Sequence, residues 1–231
     1  MSNSIAHIVD TVITSRRSVR AFLPTPVPRS EIEAILDVAS RAPSGTNTQP
    51  WQVYVLTGAR KQAFSDDVVR TFYDQDAMAL HHEEYDYYPE TWIDPFLARR
   101  RKIGLDLYGL LGLKRDNPEG MKAQQARNYK FFDAPVGLVF TMNRVMGRGS
   151  LLDYGMFMQN IMIAAKAHGL DTCAQAAFNQ FHKLIEQHLN LPAEEKVICS
   201  MALGYADLSK IENTLQTDRV PAAEFTHFLN D

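Results

Sequence analysis

The spacing of apolar residues predicts two amphipathic helices near the start of the chain. Apolar residues recur every three or four positions behind Ser4, as they do on one face of a helix. The same spacing returns after Ser30, and Ser30 with Glu33 has the pattern of a capping box, in which each side chain accepts a backbone N–H of the helix start. Both segments are therefore predicted to pack one face against a core.

A longer helix is predicted from Ser150 to His168. Ser150 and Asp153 have the spacing of an N-terminal cap, and Gly169 is a typical residue to end a helix. The segment is apolar on nearly every side, so it must be covered by its own core and, in one interpretation, by a partner subunit as well. A shorter helix is predicted over residues 179–190.

Short apolar segments bounded by glycine or proline predict three strands. They lie at residues 52–57, 135–141 and 196–203. Residues 60–132 are charged, aromatic and mostly helical in pattern, which predicts a helical insertion at about 74–128. Few strands alternate with long helices, so we expect an α+β fold, a central sheet wrapped by helices, in one domain over residues 1–231.

Composition and charge exclude several classes of partner. The chain has 24 Lys and Arg against 27 Asp and Glu, a formal net charge of −3, so no long-range field attracts it to nucleic acid or to an anionic membrane. It has two cysteines, Cys173 and Cys199, without CxxC spacing, and neither a signal peptide nor an apolar run long enough to span a membrane is evident. We therefore expect a soluble, cytoplasmic protein without disulfides.

A basic cluster near the start of the chain can bind a phosphate. It consists of Arg16, Arg17, Ser18 and Arg20. Three guanidinium groups within five residues, with a hydroxyl among them, can hold a phosphate through charged hydrogen bonds. The alternative is a solvated basic turn, which is the commoner meaning of so short a motif.

A polar loop follows the second predicted helix and ends at Trp51. Its backbone is tightened by Pro43 and Gly45, and its side chains Ser44, Asn47 and Gln49 offer hydrogen bonds at close spacing. A planar heterocycle edged with N–H and C=O groups needs a polar rim of this kind. The alternative is an ordinary turn.

Four motifs in register resemble the nitroreductase family of flavoproteins. They are Arg-Arg-Ser-x-Arg at 16–20, Pro-Ser-Gly-Thr-Asn-Thr-Gln-Pro-Trp at 43–51, Gly-Leu-Asp-Thr-Cys-Ala-Gln-Ala at 169–176, and Leu-Gly-Tyr at 203–205 with Asn213 and Arg219-Val-Pro behind it. The resemblance covers residues 12–228. It implies a mostly antiparallel sheet in an intertwined homodimer with FMN at the interface. It also implies reduction of nitroaromatic or similar electron-poor aromatic compounds with NADH or NADPH, by ping-pong hydride transfer.

The resemblance also assigns cofactor-binding residues position by position. The FMN phosphate and ribityl chain would contact Arg16, Arg17, Ser18 and Arg20, and Arg219 would reach the same phosphate. The opposite subunit would contribute Pro43, Ser44, Gly45, Asn47 and Gln49. Backbone groups of Ala174, Gln175 and Ala176 would border the flavin ring, with Asn128 and Lys130 as candidates for its pyrimidine edge. Lys130 or Arg127 could supply a positive charge there.

Three positions depart from the family's usual pattern. Asp171 and Asp133 stand where the family often has glycine, and Ala174 stands where it often has proline. None of these departures removes a charged phosphate contact. They concern the geometry at the edge of the flavin, which the sequence leaves open.

In this family an insertion such as that at 74–128 covers the active site as a lid. Its candidate substrate residues are Tyr88, Trp92 and Tyr108, which could sandwich a flat acceptor, while Arg99, Arg100 and Arg101 could receive a carboxylate or nitro group. Alternatively, these aromatic residues simply pack on the core. We predict no catalytic side chain, because the flavin carries the redox chemistry.

Two other functions remain open at this stage. A flavin-binding protein with another role, such as reductive dehalogenation, quinone or flavin reduction, or flavin breakdown or storage, would carry the same motifs. His81-His82-Glu83-Glu84 offers metal ligands, but adjacent ligands point in different directions on a helix and the order His-Glu-x-x-His is absent. We interpret these four residues as a solvated polar face and predict no metal.

Overall fold

The computed structural model describes residues 4–229, and within them four antiparallel strands form one sheet. The strands are β1 (Gln52–Thr57), β2 (Val136–Asn143), β3 (Asp171–Gln175) and β4 (Glu195–Gly204), in the order β1-β2-β4-β3. The two central strands, β2 and β4, are buried along most of their length, which explains their nearly continuous apolar sequence. The shorter strands β1 and β3 form the two opposite edges.

Helices surround this sheet. They are α1 (Ile5–Ser15), α2 (Arg29–Ala39), α3 (Gly58–Tyr73), α4 (Gln75–Met78), α5 (Phe96–Leu110), α6 (Pro118–Ala126), α7 (Ser150–Ala167), α8 (His182–Leu189) and α9 (Ala222–Phe225). Short 3-10 helices lie at Gly45–Asn47, Arg127–Asp133, Ala176–Phe181 and Ile211–Thr214. No helix in the described part of the chain is long and apolar enough to cross a membrane.

Two apolar clusters cover the two faces of the sheet. Leu138 and Phe140 of β2 pack in one cluster with residues of α2 and α7. Val139, between them, packs in the other with residues of α3, α8 and the 3-10 helix at 127–133. Successive side chains of a strand point to opposite faces, so one strand contributes to both clusters. The predicted α+β fold, a central antiparallel sheet wrapped by helices, is confirmed.

The strand β3 is not predicted from the sequence, in which residues 169–176 resemble a loop. The strand is five residues long and begins and ends with polar residues, Asp171 and Gln175, so no apolar run marks it. Both residues are nevertheless buried, and the Asp171 carboxylate pairs with the Lys166 ammonium at 2.9 Å. Pairing with β4, which is distant in sequence, makes this segment a strand.

The predicted capping box of α2 is wrong. The helix begins at Arg29 after Pro28, and within the described chain no side chain caps its start. Glu33 bonds to the Arg29 guanidinium at 2.6 Å, one helical turn away, instead of to the backbone. Proline fixes a backbone angle that suits a helix start, so the turn forms without a capping hydroxyl.

The predicted cap of α7 is also wrong, although Gly169 ends the helix as expected. The helix follows Gly149, and the carboxylate of Asp153 turns away to accept the backbone N–H of Gly45 at 3.3 Å. Gly169 has φ = +76°, a left-handed conformation that costs glycine little. The acidic residue therefore fixes a distant loop rather than its own helix.

The segment predicted as a helical insertion, 74–128, is only partly helical. It contains α4, α5 and α6, but residues 79–95 form neither helix nor strand. Over the described residues Phe96–Leu110, α5 contains no buried side chain, and the same holds for α1 over Ile5–Ser15. These two helices therefore lie on the outside of the chain.

A buried tyrosine of α7 fastens the edge strand β1 to β2. The hydroxyl of Tyr154 accepts the backbone N–H of Gln52 at 3.1 Å and lies 2.6 Å from the carbonyl oxygen of Thr141 and 2.9 Å from that of Gln52. Burial raises its pKa well above the ordinary value, so it remains a neutral donor and acceptor.

We expect Tyr154→Phe to lower the free energy of unfolding by about 1–3 kcal/mol, because buried backbone groups lose their partner. Urea denaturation of the wild type and the variant measures the difference. Tyr73→Phe is the matched control, since Tyr73 is 47% exposed. Equal loss of stability in the two variants would contradict the role assigned to this hydroxyl.

Candidate functional site

The basic segment 16–20 lies along the open edge of β3. Ser18 pairs with Thr172 in a parallel bridge, and the backbone N–H of Val19 donates to the carbonyl of Thr172 at 3.1 Å. Val19 is buried, whereas Arg17 and Ser18 are exposed and Arg16 is half-buried. The one apolar residue of the motif thus anchors it, and its cationic side chains remain available at the surface.

A buried asparagine joins this segment to the C-terminal part of the chain. The Asn213 side chain accepts the backbone N–H of Arg20 at 2.8 Å and donates to the carbonyls of Ala21 at 2.8 Å and Asp207 at 2.9 Å. Arg17 donates to the backbone carbonyl of Asn213 at 2.9 Å. The sequence placed Asn213 in a motif without giving it a role, and the structure makes it a positioning residue.

Arg219 completes a cationic cleft of about 360 Å³. The predicted phosphate residues Arg16, Arg17, Ser18, Arg20 and Arg219 all line this cleft, together with Ile103, Leu215, Thr217 and Asp218. Its acid, Asp218, pairs with Lys102 at 3.0 Å. The Nε of Arg16 is buried and has no hydrogen-bond partner among residues 4–229. The arginine cleft is therefore a concentrated group of donors suited to an anion.

The end of β3 carries further polar atoms without partners. Ala174 is exposed at the sheet edge, and the buried Gln175 donates through Nε2 to the carbonyl of Asn128 at 2.7 Å. The Oε1 of Gln175 and the Oγ1 of Thr172 are buried without partners in the described chain. Ala176 follows as a half-buried residue. The candidates for the flavin edge thus adjoin the segment that carries the arginines.

The 3-10 helix at 127–133 carries two candidate cations, Arg127 and Lys130, in different surroundings. The Arg127 guanidinium contacts the buried carboxylate of Glu212 and lies 3.4 Å from Asp133, so its charge is already paired. Lys130 is exposed. Asp133 has φ = +68°, a left-handed conformation that glycine adopts at little cost, as expected at a position where the resemblance implies glycine. Among residues 4–229, Lys130 forms no ion pair, so of the two cations it is the one available to a ligand.

The polar loop 43–49 lies at the other edge of the sheet. It leads into β1, and three inter-strand spacings, about 14 Å, separate the axes of β1 and β3. Among the described residues, those that line the arginine cleft do not include this loop. One chain therefore does not bring the two groups of candidate cofactor residues together.

The same loop holds a strained backbone. Thr46, Asn47 and Gln49 have φ of +49°, +59° and +47°, and each such non-glycine residue costs on the order of 1 kcal/mol. The loop is held by the Gly45–Asp153 bond and by Ser44 Oγ, which accepts the backbone N–H of Gln49 at 3.0 Å. Strain that the fold sustains in this way is typical of functional loops.

The aromatic residues of the insertion fall into two groups. The Tyr85 hydroxyl donates to the carbonyl of Ile198 and accepts from the Asn179 amide at 3.0 Å, and its pKa is raised by burial. It packs on the core. Tyr88 is exposed and Trp92 is half-buried, and the Arg100 guanidinium stands 5.6 Å and 4.6 Å from the centres of their rings. Tyr108 lines a separate cleft beside α5.

The interpretation of residues 81–84 as a solvated face is wrong for Glu84. Its carboxylate contacts the Arg144 guanidinium, which also lies 3.3 Å from Glu186. One possible ligand atom each from Glu84, His182 and Glu186 lies within 4.8 Å of the others. Because the guanidinium already compensates both carboxylates, we read this group as an ion-pair network.

Both cysteines are buried, and burial raises the pKa of Cys173 and of Cys199 to about 11 each. Arg20 and Arg16, near Cys173, favour the thiolate, but they do not outweigh the loss of hydration. Cys173, on β3 beside the arginine cleft, is therefore a packed thiol.

The sequence of this chain matches that of a known protein family. The family model described as "Nitroreductase family" matches residues 13–205. The chain is 41% identical to the 4-nitrobenzoate reductase of Pseudomonas putida over 95% of each sequence. It is 40% identical to the chloronitrobenzene nitroreductase of Comamonas testosteroni, covering 96% of this chain and 97% of that one.

Solved structures give the same result for the fold. The FMN and NADPH-dependent nitroreductase NfnB from Sphigopyxis sp. strain HMH superimposes with a TM-score of 0.92 at 35% identity, covering 96% of this chain and 99% of that one. The FMN-dependent NfnB from Mycobacterium smegmatis, in complex with NADPH, gives a TM-score of 0.92 at 27% identity, covering 98% and 100%.

Neither thiol should react with Ellman's reagent at pH 8 in the native protein. A pKa of about 11 leaves about 0.1% thiolate at that pH, and burial also blocks access. Two thiols per chain should react once the protein is unfolded in guanidinium chloride, which serves as the control. Rapid labelling of one native thiol would show that Cys173 is reactive beside the cleft.

Proposed function

The chain belongs to the nitroreductase family, and from that premise we propose that it is an FMN-dependent NAD(P)H oxidoreductase that reduces nitroaromatic compounds. One observation carries the proposal. Arg219 lies in a single cleft with Arg16, Arg17 and Arg20, although about 200 residues separate it from them. Relatives that resemble the chain over nearly its whole length are named for 4-nitrobenzoate, chloronitrobenzene and nitrobenzene, which supports nitroaromatic acceptors here.

The residues of the arginine cleft fit the phosphate of FMN. Guanidinium groups match phosphate oxygens in geometry and charge, and Ser18 adds a hydroxyl. The unpartnered Nε of Arg16 gains an acceptor when a phosphate binds. When bound, FMN supplies hydride transfer between the nicotinamide and the acceptor.

Other residues of the chain would orient the ring. We assign the backbone of the sheet edge at Ala174, Gln175 and Ala176 to its border, and the side chains of Asn128 and Lys130 to its polar edge. The Asn128 amide is held by a bond from its Nδ2 to the carbonyl of Gln125 at 3.0 Å. Lys130 would balance negative charge on the ring, because Arg127 is paired with Glu212.

We further propose that two chains form a homodimer that completes each site. The outer face of α1 and part of α7 expose large apolar side chains to solvent. A patch of exposed apolar side chains is typical of a protein–protein interface. These exposed side chains are Ile5, Ile8, Val9, Ile13, Leu152 and Met156. In such a dimer, the loop Pro43, Ser44, Gly45, Asn47 and Gln49 of one subunit would meet the arginine cleft of the other.

The remaining assignments follow from these proposals. Residues 74–128 would act as the lid insertion of a single domain, with Tyr88, Trp92 and Tyr108 near the acceptor. We place the protein in the cytoplasm, because NAD(P)H is supplied there and both buried cysteines are free thiols. NADPH is the expected donor, since the NfnB relatives are described as NADPH-dependent or in complex with NADPH.

An absorption spectrum of the purified protein tests the proposed function. We expect flavin bands that bleach on anaerobic addition of NADPH and recover when nitrobenzene is added. A bound flavin that never bleaches would favour a flavin-binding or flavin-processing protein. Absence of flavin, even after incubation with FMN, would refute the cofactor assignment.

Complementation between two variants tests the two-subunit site. Arg20→Ala removes a cation of the cleft, and Asn47→Gly removes an amide while allowing the left-handed φ of +59°. The Arg20→Ala homodimer should bind FMN about tenfold more weakly or worse, because charged hydrogen bonding worth about 1.5–3 kcal/mol is lost. The Asn47→Gly homodimer should bind FMN about two- to tenfold more weakly, because a neutral hydrogen bond worth about 0.5–1.5 kcal/mol is lost. Co-expressed mixed dimers should regain a class of sites with wild-type affinity.

The control is Arg29→Ala, which removes a side chain that is 90% exposed and outside both groups. It should leave FMN affinity unchanged. Mixed dimers that bind no better than the two variant homodimers would mean that each chain builds its own site.

A further inference from the structure

The insertion holds a second cleft, of about 740 Å³, that the FMN assignment does not use. It lies between α5 and the segment that leads into α6. Its apolar lining includes Leu97, Leu105, Leu113 and Met121, with Tyr108 beside them. The other side of α5 contributes Ile103 to the arginine cleft, so the two clefts lie about one helix diameter, roughly 10 Å, apart.

The rim of this cleft is cationic. Arg100, Arg101, Lys114 and Arg115 line it, and none of the described residues that line it is acidic. Within residues 4–229, none of these four cations forms an ion pair, whereas Arg29, Lys102 and Arg127 do. Four like charges gathered on a chain of net charge −3 repel one another and are stabilised by an anion.

Two aromatic residues fix the position of one of these cations. The Arg100 guanidinium stands 4.6 Å from the ring centre of Trp92 and 5.6 Å from that of Tyr88. The two rings are themselves 5.5 Å apart. A guanidinium held over aromatic faces keeps its N–H groups directed outward for a planar partner. Tyr88 and Trp92 thus position Arg100 rather than enclose a ring between them.

We propose that this cleft binds aromatic acceptors that carry a carboxylate, with Arg100 as a specificity-determining residue. The aromatic ring would pack against the apolar lining, and the guanidinium and ammonium groups would donate hydrogen bonds to the carboxylate. The inference rests on the proposed function, because its ligand is the acceptor of that reaction. A carboxylated ring fits better than a nucleotide phosphate, since the lining between the cations is aliphatic and offers few groups for a ribose.

The test compares two substrates that differ by one carboxylate. We expect the wild-type enzyme, loaded with FMN, to reduce 4-nitrobenzoate with a higher kcat/KM than nitrobenzene. Arg100→Gln should lower the ratio of the two values about fivefold or more, mainly because the carboxylated substrate binds more weakly and its KM rises. Lys114→Gln, on the other wall of the cleft, should lower the ratio in the same direction.

Arg99→Gln is the matched control. Arg99 precedes Arg100 on the same helix, but it lines a different cleft, with Lys102 and Arg219. The substitution removes the same charge from the chain, so a general electrostatic effect would lower the ratio of the two kcat/KM values as much as Arg100→Gln does. If the carboxylate binds beside Arg100, the ratio in Arg99→Gln stays at the wild-type value. FMN content and circular dichroism confirm that each variant is folded.

Several outcomes would overturn the inference. An unchanged substrate ratio in both Arg100→Gln and Lys114→Gln would do so, while reduction of nitrobenzene would still support the proposed function. A selective loss of NADPH use relative to NADH would mean that the cleft binds the nucleotide phosphate instead. If the wild type reduces neither compound, the proposed function fails, and this inference fails with it.

Discussion

Asn213 makes buried hydrogen bonds to chain segments that are nearly 200 positions apart. Its amide group accepts the N–H of Arg20 and donates to the carbonyls of Ala21 and Asp207. Each bond contributes on the order of 1 kcal/mol. Loss of the side chain would take the partner from the backbone N–H of Arg20, while the carbonyls of Ala21 and Asp207 would keep the backbone N–H groups of Asp207 and Lys210 as donors. The arginine cleft depends on this constraint, because guanidinium groups drawn from two ends of the chain repel one another until an anion binds.

The antiparallel sheet imposes the second constraint on function. β1 and β3 are its opposite edges, with β2 and β4 between them. The arginines align with one edge, and the strained polar loop enters the other. A cofactor that needs both groups therefore requires a second chain, and the exposed apolar side chains of α1 and α7 provide a surface on which that chain can pack. In the proposed homodimer, the order of the strands would couple cofactor binding to assembly.

The insertion has one part that is anchored on the core and another part that is exposed. Tyr85 bonds to the core through its hydroxyl and fixes the start of the segment, while α5 has no buried residue over Phe96–Leu110. One side of α5 faces the arginine cleft, and the other faces a cationic cleft with an apolar lining. If the insertion acts as the proposed lid, surface substitutions on it would change acceptor preference and leave the proposed cofactor residues untouched.

The sequence by itself determined the features that depend on neighbouring residues. Hydrophobic periodicity located the main helices and the strands β1, β2 and β4, and ordered motifs identified the family and grouped Arg219 with the arginines at 16–20. Only the tertiary structure decided what depends on partners far along the chain. It made residues 171–175 a strand through pairing with β4, drew Asp153 from its helix start to Gly45, and engaged Arg127 with Glu212. Periodicity records which face of an element is buried, whereas strand pairing and ion pairs depend on distances that exist only once the chain has folded.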